Sequence, residues 1–318
     1  MTNWKSDSEG IDMKLPKVPI IVGPTAVGKT EISLALAERF DSGIVSADSR
    51  QVYQKMNIGT AKPELDAFQK VPHFLIDFLD PTQSYSAGLW GRDALSIITD
   101  LLADQKQPIV VGGSGFYIRA LIQGFFEEPA YNREDLESLR TEYKAMRTGT
   151  LRRLLKKVDP ISAKRIMPND RQRAIRALEI YEITGRPLSE LQALQKSEHT
   201  LPFEPIFIGL EMPREELYAR INRRTDQMIL AGLVEEVETL VSEDYDPELN
   251  SLQTVGYREI FPYLQGRTGL YEAVRLIKRN TRRYAKRQTT WFRHNEKVHW
   301  LDAEARIEKI VSEILSLL

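Results

Sequence analysis

Residues 18–30 read VPIIVGPTAVGKT, and this stretch decides the fold. The apolar run Val18 to Val22 leads directly into Gly23, Pro24, Thr25, Ala26, Val27, Gly28, Lys29 and Thr30, which spell G-x-x-x-x-G-K-T. Ile32, Leu34, Ala35, Leu36 and Ala37 then recur at helical spacing. Strand, glycine-rich turn and helix in that order form the phosphate-cradling P-loop context. Gly23 and Gly28 let the backbone turn with its amides inward, and the helix adds its unpaired N–H groups and positive dipole end. Lys29 can reach two adjacent phosphate groups, and the Thr30 hydroxyl is placed to ligate a magnesium ion bound to them. A phosphorylated ligand is therefore expected; its identity has to come from the rest of the chain.

The chain has 318 residues, enough for a full core plus a second module. Its net charge of -1 is silent on nucleic acid, because a basic face can be offset by acidic surface elsewhere. Cysteine is absent, which excludes disulfides, zinc thiolate sites and a cysteine nucleophile. His73, His199, His294 and His299 lack the i, i+4 pairing of a helical metal site. The first seventeen residues are polar, and no later stretch is long and apolar enough to span a bilayer, so a flexible N-terminus (1–17) and a cytoplasmic protein are expected.

Further along, the apolar run Gly43 to Ala47 ends in Asp48, Ser49, Arg50 and Gln51. Functional groups collect beyond the carboxyl ends of parallel strands, so Asp48 should face the same crevice as the P-loop, as a base or metal-shell residue. An N-cap role is the alternative. Residues Pro72 to Phe78, PHFLIDF, resemble a Walker B strand ending in Asp77. A helix spans Ala87 to Ala103, and a strand over Pro108 to Val111 closes on Gly112, Gly113, Ser114 and Gly115, with Ser114 a candidate hydrogen-bond donor. Alternating strands and helices predict an α/β fold, a P-loop NTPase-like parallel sheet core flanked by helices.

From about Gln123 to His199 only helix-period segments occur: Arg133 to Met146, Leu151 to Lys157, Ser162 to Ile166 and Asp170 to Ile183, the last capped by Asn169 or Asp170 and followed by Gly185. Residues 123–199 thus read as an inserted all-helical module, with 18–122 and 200–318 forming the core domain and its C-terminal helices. Gln172 and Arg176 share a helix face. The strand Ile206 to Leu210 rejoins the sheet, and the helix Glu215 to Leu230 carries Arg220 and Arg224 one turn apart. Tyr271 to Arg293 is strongly basic, with Arg275, Arg279, Arg282 and Lys286 in one stripe near Tyr284, Trp291 and Phe292. Such a stripe fits a phosphate backbone with aromatics for stacking, or a solvated helix face. The residues beyond His299 read as a terminal helix.

Taken together these blocks resemble the tRNA dimethylallyltransferase (tRNA isopentenyltransferase) family, of the bacterial type. The matching segments are GPTAVGKT at 23–30, SADSRQVY at 46–53, IGTAKP at 58–63, VGGSGFY at 111–117, NDRQRAIRALE at 169–179, RINRRTDQM at 220–228, TVGYRE at 254–259 and KRQTTWFR at 286–293. The resemblance implies transfer of a dimethylallyl group from dimethylallyl diphosphate to N6 of adenosine 37 in the tRNA anticodon loop. It implies that the P-loop holds a diphosphate that leaves, that Asp48 is the catalytic carboxylate, and that Arg224 contacts the diphosphate. Ser114 falls where the family more often has threonine. Asp48 to Gln51, Gln172 to Arg176 (Gln172, Arg173, Ala174, Ile175, Arg176) and Gln253 to Arg258 (Gln253, Thr254, Val255, Gly256, Tyr257, Arg258) resemble its tRNA-contacting segments, joined by Arg282 and Lys286 of the basic stripe. Magnesium is the expected cofactor, tRNA and dimethylallyl diphosphate the expected partners, with no membrane and no obligate protein partner. A P-loop kinase of a small metabolite and an ATP- or GTP-dependent RNA-binding switch are the rival readings of the loop.

Overall fold

The computed structural model describes residues 14–125, 133–294 and 297–318. The N-terminal stretch expected to be flexible lies, up to residue 13, outside the described residues. The N-terminal half of the sheet is built from β1 (Lys17–Val22), α1 (Lys29–Phe40), β2 (Ile44–Ala47), α2 (Leu65–Lys70), β3 (His73–Phe74), α3 (Ala87–Ala103) and β4 (Ile109–Gly112). Five helices follow α4 (Gly115–Gln123): α5 (Arg133–Ala145), α6 (Thr148–Val158), α7 (Pro160–Arg165), α8 (Arg171–Thr184) and α9 (Leu188–Glu198). The chain returns through β5 (Glu204–Glu211), α10 (Arg214–Leu230), α11 (Leu233–Ser242), α12 (Phe261–Leu264), α13 (Leu270–Arg293), β6 (His299–Asp302) and α14 (Ile307–Leu317).

The six strands pair in parallel in the order β3-β2-β4-β1-β5-β6. β1, β2 and β4 are almost wholly buried apolar runs, as expected of strands covered on both faces. Ile21, Leu36, Ile44, Ile208, Leu210 and Ile310 belong to one core, which joins the sheet to α1 and α14. By contact the chain separates into two compact units, one from residues up to Ser84 with Asp93–Gly115 and Leu201–Leu318, the other from Tyr85–Arg92 with Phe116–Thr200. The second unit is helical and has its own core, including Leu151, Leu155, Ile175 and Leu178. There α8 starts on Asp170, whose carboxylate accepts from Arg173 N–H, and ends on a left-handed Gly185.

Three expectations need correction. The strand over Pro72 to Phe78 shrinks to His73–Phe74, because Leu75 and Asp77 take left-handed backbone (φ 58° and 56°) that breaks the extended chain. The segment beyond His299 supplies an edge strand, β6, before its helix. Helices α9 and α11 also form where no periodic segment was read: α11 buries Leu233, Val237 and Leu240, and the start of α9 is held by the buried Asp159, which accepts from Ser189 N–H and Oγ. Among the described residues no helix is long and apolar enough to cross a membrane.

Candidate active site

Strand register assembles the site. Ala47 pairs with Gly112, Gly112 with Val22, and Val22 with Gly209, so these four stand in one row across β2, β4, β1 and β5. The residues that follow, Asp48, Gly113 and Gly23, therefore emerge side by side at the carboxyl edge of the sheet, where a parallel α/β fold gathers its ligands. The Ser114 N–H donates to Ala47 O at 3.1 Å and fastens the turn after β4 to the end of β2.

The loop has the backbone that its glycines permit. Gly28 precedes α1 at φ 106°, a region that a side chain strains, and directs the first turn of the helix at the loop. Lys29 folds over the loop, its Nζ donating to Gly23 O at 3.0 Å and Pro24 O at 2.8 Å. Thr30 is exposed on the first turn of α1.

Asp48 caps a turn and not a helix, since the next helix, α2, begins only at Leu65. Its Oδ1 accepts from Arg50 N–H at 2.9 Å and Gln51 N–H at 3.4 Å, which caps the turn and fixes the carboxylate. Its charge is also felt in the crevice by Lys29, Arg224 and Tyr284. Lys29 and Arg224 each retain some surface, yet their charged ends are desolvated. Burial pulls the Lys29 pKa from 10.5 to about 8; the Asp48 charge opposes this and the Arg224 charge adds to it. Burial likewise lowers Arg224, again opposed by Asp48. Two cations and one carboxylate thus share a poorly hydrated space, where electrostatic effects are larger than in water. Arg220, one turn earlier, turns instead to Glu216 at 3.5 Å.

Sequence reading missed Gln288. It is 5% exposed, accepts from Thr25 N–H at 2.8 Å and donates to Gly113 O at 3.0 Å. The signal was available: Ala273, Ile277, Ala285 and Phe292 form the buried face of α13, and Gln288 is the polar residue on it. Beside it Tyr284 has its pKa raised by burial and by the Asp48 charge.

The candidate RNA-contacting residues divide. Gln172, Arg173, Gln253, Arg258 and Lys286 are exposed, and Arg50 extends to Asn250 O at 2.6 Å. Gln51 donates to Thr60 O and Ala61 O, tying the Asp48 turn to the 58–63 loop. Glu236 in turn accepts three backbone N–H groups of residues 57–59. Other candidates point inward. Ala174 and Ile175 are 5% and 8% exposed in the core of the helical unit, and Tyr257 is fully buried with its hydroxyl donating to Glu236 at 2.6 Å. Arg282 leaves the exposed stripe, donating to Asn222 at 2.7 Å and lying over the Tyr218 ring. These four side chains are engaged within the protein. Asp77 pairs with Lys62 at 2.5 Å, away from the Walker B role.

Parallel sheet, P-loop and flanking helices define a P-loop α/β protein. Residues 51–295 match the family model described as IPP transferase. The tRNA dimethylallyltransferase 2 of Geotalea uraniireducens is 45% identical over 94% of this chain and 96% of its own length. Among solved structures, the full-length tRNA isopentenylpyrophosphate transferase from Bacillus halodurans superposes with a TM-score of 0.70 at 39% identity, covering 96% of this chain and 95% of that one. A eukaryotic dimethylallyltransferase, solved acting on tRNA, gives 0.78 at 30% identity, covering 91% of this chain and 74% of that one. The chain belongs to the IPP transferase family.

Proposed function

We propose that this chain transfers a dimethylallyl group from dimethylallyl diphosphate to N6 of adenosine 37 in the tRNA anticodon loop, with its P-loop holding the diphosphate that leaves. The observation that carries the assignment of roles is the shared crevice of Asp48, Lys29 and Arg224 at the carboxyl ends of β1 and β2. Lys29, Arg224 and the loop amides neutralise charge as the carbon–oxygen bond of the donor breaks, a preorganised stabilisation. Adenine N6 is a weak nucleophile, its lone pair delocalised into the ring. Asp48 Oδ2, which receives neither turn N–H, accepts an N6 hydrogen bond and then the proton as the carbon–nitrogen bond forms. The desolvated crevice also keeps water from the allylic donor.

Magnesium fits this chemistry in a particular way. Among the described residues no cluster of three or more His, Cys, Asp or Glu could cage a metal, whereas magnesium on a diphosphate needs few protein ligands. Thr30 would hold it, and the ion would supply further neutralisation of the leaving group.

In this reading the inserted helical module, residues 123–199, contacts tRNA through the exposed Gln172 and Arg173; the first unit, by itself, offers the exposed Lys286 of α13 and Gln253 and Arg258 of the 253–258 segment. The anticodon loop offers a base that flips at low cost. A cytoplasmic location, where tRNA is found, follows from the same reading. The test is incubation of radiolabelled dimethylallyl diphosphate with unmodified tRNA. Label entering tRNA without ATP supports the transferase, whereas ATP turnover with no labelled tRNA would return the loop to a kinase or a nucleotide switch.

A further inference from the structure

The loop that cradles the diphosphate is held from outside by one amide. Gln288 Oε1 takes the Thr25 N–H of the loop and Gln288 Nε2 donates to Gly113 O on the turn that leads to Ser114. The fit leaves no slack on the second side, since a Cβ on Gly113 would lie 2.0 Å from Nε2. The 113–114 turn is itself fastened to the end of β2, one residue before Asp48. A single side chain thus spans the two halves of the site, the leaving-group loop on one side and the nucleophile's turn on the other.

We propose that Gln288 is a positioning residue for prenyl transfer: by clamping the P-loop to the 113–114 turn it fixes the separation between the bound diphosphate and the adenine nitrogen held at Asp48. This rests on the function proposed above. In the step itself the donor carbon–oxygen bond breaks, the carbon–nitrogen bond forms and the N6 proton passes to Asp48; Gln288 gives up and receives nothing. Its part is geometric. Displacing reacting groups by about 1 Å costs on the order of 100-fold in rate even when the altered residue is remote from the chemistry. The position calls for a side chain that both accepts and donates, because one partner is a donor and the other an acceptor. The exposed Lys286 and Arg287 immediately precede Gln288 on α13, so RNA held by that helix bears on the element that fixes the loop.

The test compares single-turnover transfer, at saturating donor and tRNA, for the wild-type chain, Gln288→Ala and Gln288→Glu across pH. Gln288→Ala should lose about 100-fold in the transfer step while tRNA affinity stays within about threefold. Gln288→Glu carries the sharper result. An ionised carboxylate still accepts from Thr25 but repels Gly113 O, whereas the protonated acid reproduces both hydrogen bonds. Burial raises a carboxyl pKa, so the ratio of Glu-variant rate to wild-type rate should climb as pH falls from about 8 to about 6. Lys29, pulled down to about 8 by burial, is common to both proteins, as are Asp48 and Arg224 beside it. The adjacent Tyr284, pushed upward by burial first, then by Asp48, stays neutral throughout. A Gln288→Ala transfer rate within about threefold of wild type would overturn the proposal, as would a Glu-variant ratio that is flat with pH. If the Ala variant fails to fold, the Glu variant decides alone; a Glu variant unfolded at every pH would also count against the proposal, since its acid form restores both bonds. Label transfer by the wild-type chain reports separately on the underlying function.

Discussion

Two sets of cations serve the first compact unit, and they differ in how much water they keep. Lys29 and Arg224 have desolvated charged ends beside a single carboxylate, Asp48. Arg283, Lys286 and Arg287 lie exposed along α13. On the proposed function the first set receives one small, highly charged ligand, where low local dielectric makes each charge count. The second is screened by salt, and each of its members contributes modestly to holding a polyanion. Sign of charge is common to both; hydration separates chemistry from grip.

The largest expected effect lies in the buried set. Asp48→Ala should lower single-turnover transfer by at least about 100-fold, the low end for a lost acid–base group, with tRNA affinity within several-fold of wild type. Near-normal transfer would remove Asp48 from catalysis and break the comparison. Lys29→Ala comes next: losing a charged hydrogen bond worth about 1.5–3 kcal/mol should weaken donor binding by about tenfold to hundredfold. Equilibrium binding of a non-transferable donor analogue would measure this, and an unchanged affinity would detach the loop from the diphosphate.

In the helical unit the buried charge is a carboxylate held by two arginines. Glu179, 1% exposed, receives Arg140 at 2.7 Å and Arg176 at 3.1 Å. Burial alone would raise its pKa, but the arginine hydrogen bonds outweigh it and hold the group below the ordinary 4.5. A carboxylate with a depressed folded pKa stabilises the fold above the unfolded value, and this is lost as pH falls through the folded one. Glu179→Gln should therefore destabilise the chain by about 2 kcal/mol at neutral pH, and the difference from wild type should shrink below about pH 4.5 in denaturant melts. A difference that does not shrink in acid would show that the charge is immaterial there. The smallest effect belongs to the exposed set. Lys286→Ala should weaken tRNA binding a few-fold and reduce the salt slope by about one, whereas Arg282→Ala, whose guanidinium is engaged by Asn222, should leave the slope nearly unchanged.

The parts legible in the sequence are those where backbone chemistry constrains residue type. The P-loop needs its glycines and its lysine at fixed spacing, and Asp48 was placed by the rule that parallel strands deliver their next residue to the carboxyl edge. Side-chain direction was harder to read. Arg282 lies at the spacing of an exposed stripe, yet α10 packs close enough for Asn222 to capture it. Ala174 and Ile175 stand inside a segment expected to contact RNA but face the helical core, since a helix that presents Gln172 and Arg173 outward turns their neighbours in. The strand β6 is four residues long with no apolar run, and pairing with β5 supplies what its sequence lacks. Gln288 was hidden by its partners, two backbone groups distant in sequence.

The central claim is that the P-loop grips a leaving group and transfers no phosphate. It is tested most directly by supplying dimethylallyl diphosphate with heavy oxygen at the bridge between carbon and phosphorus, and following that atom through a single turnover with unmodified tRNA. The account predicts that all of the heavy oxygen leaves with diphosphate while the prenyl carbon appears on adenosine N6. Transfer of phosphate to the tRNA, or retention of the heavy oxygen on the prenyl product with tRNA unmodified, would contradict it.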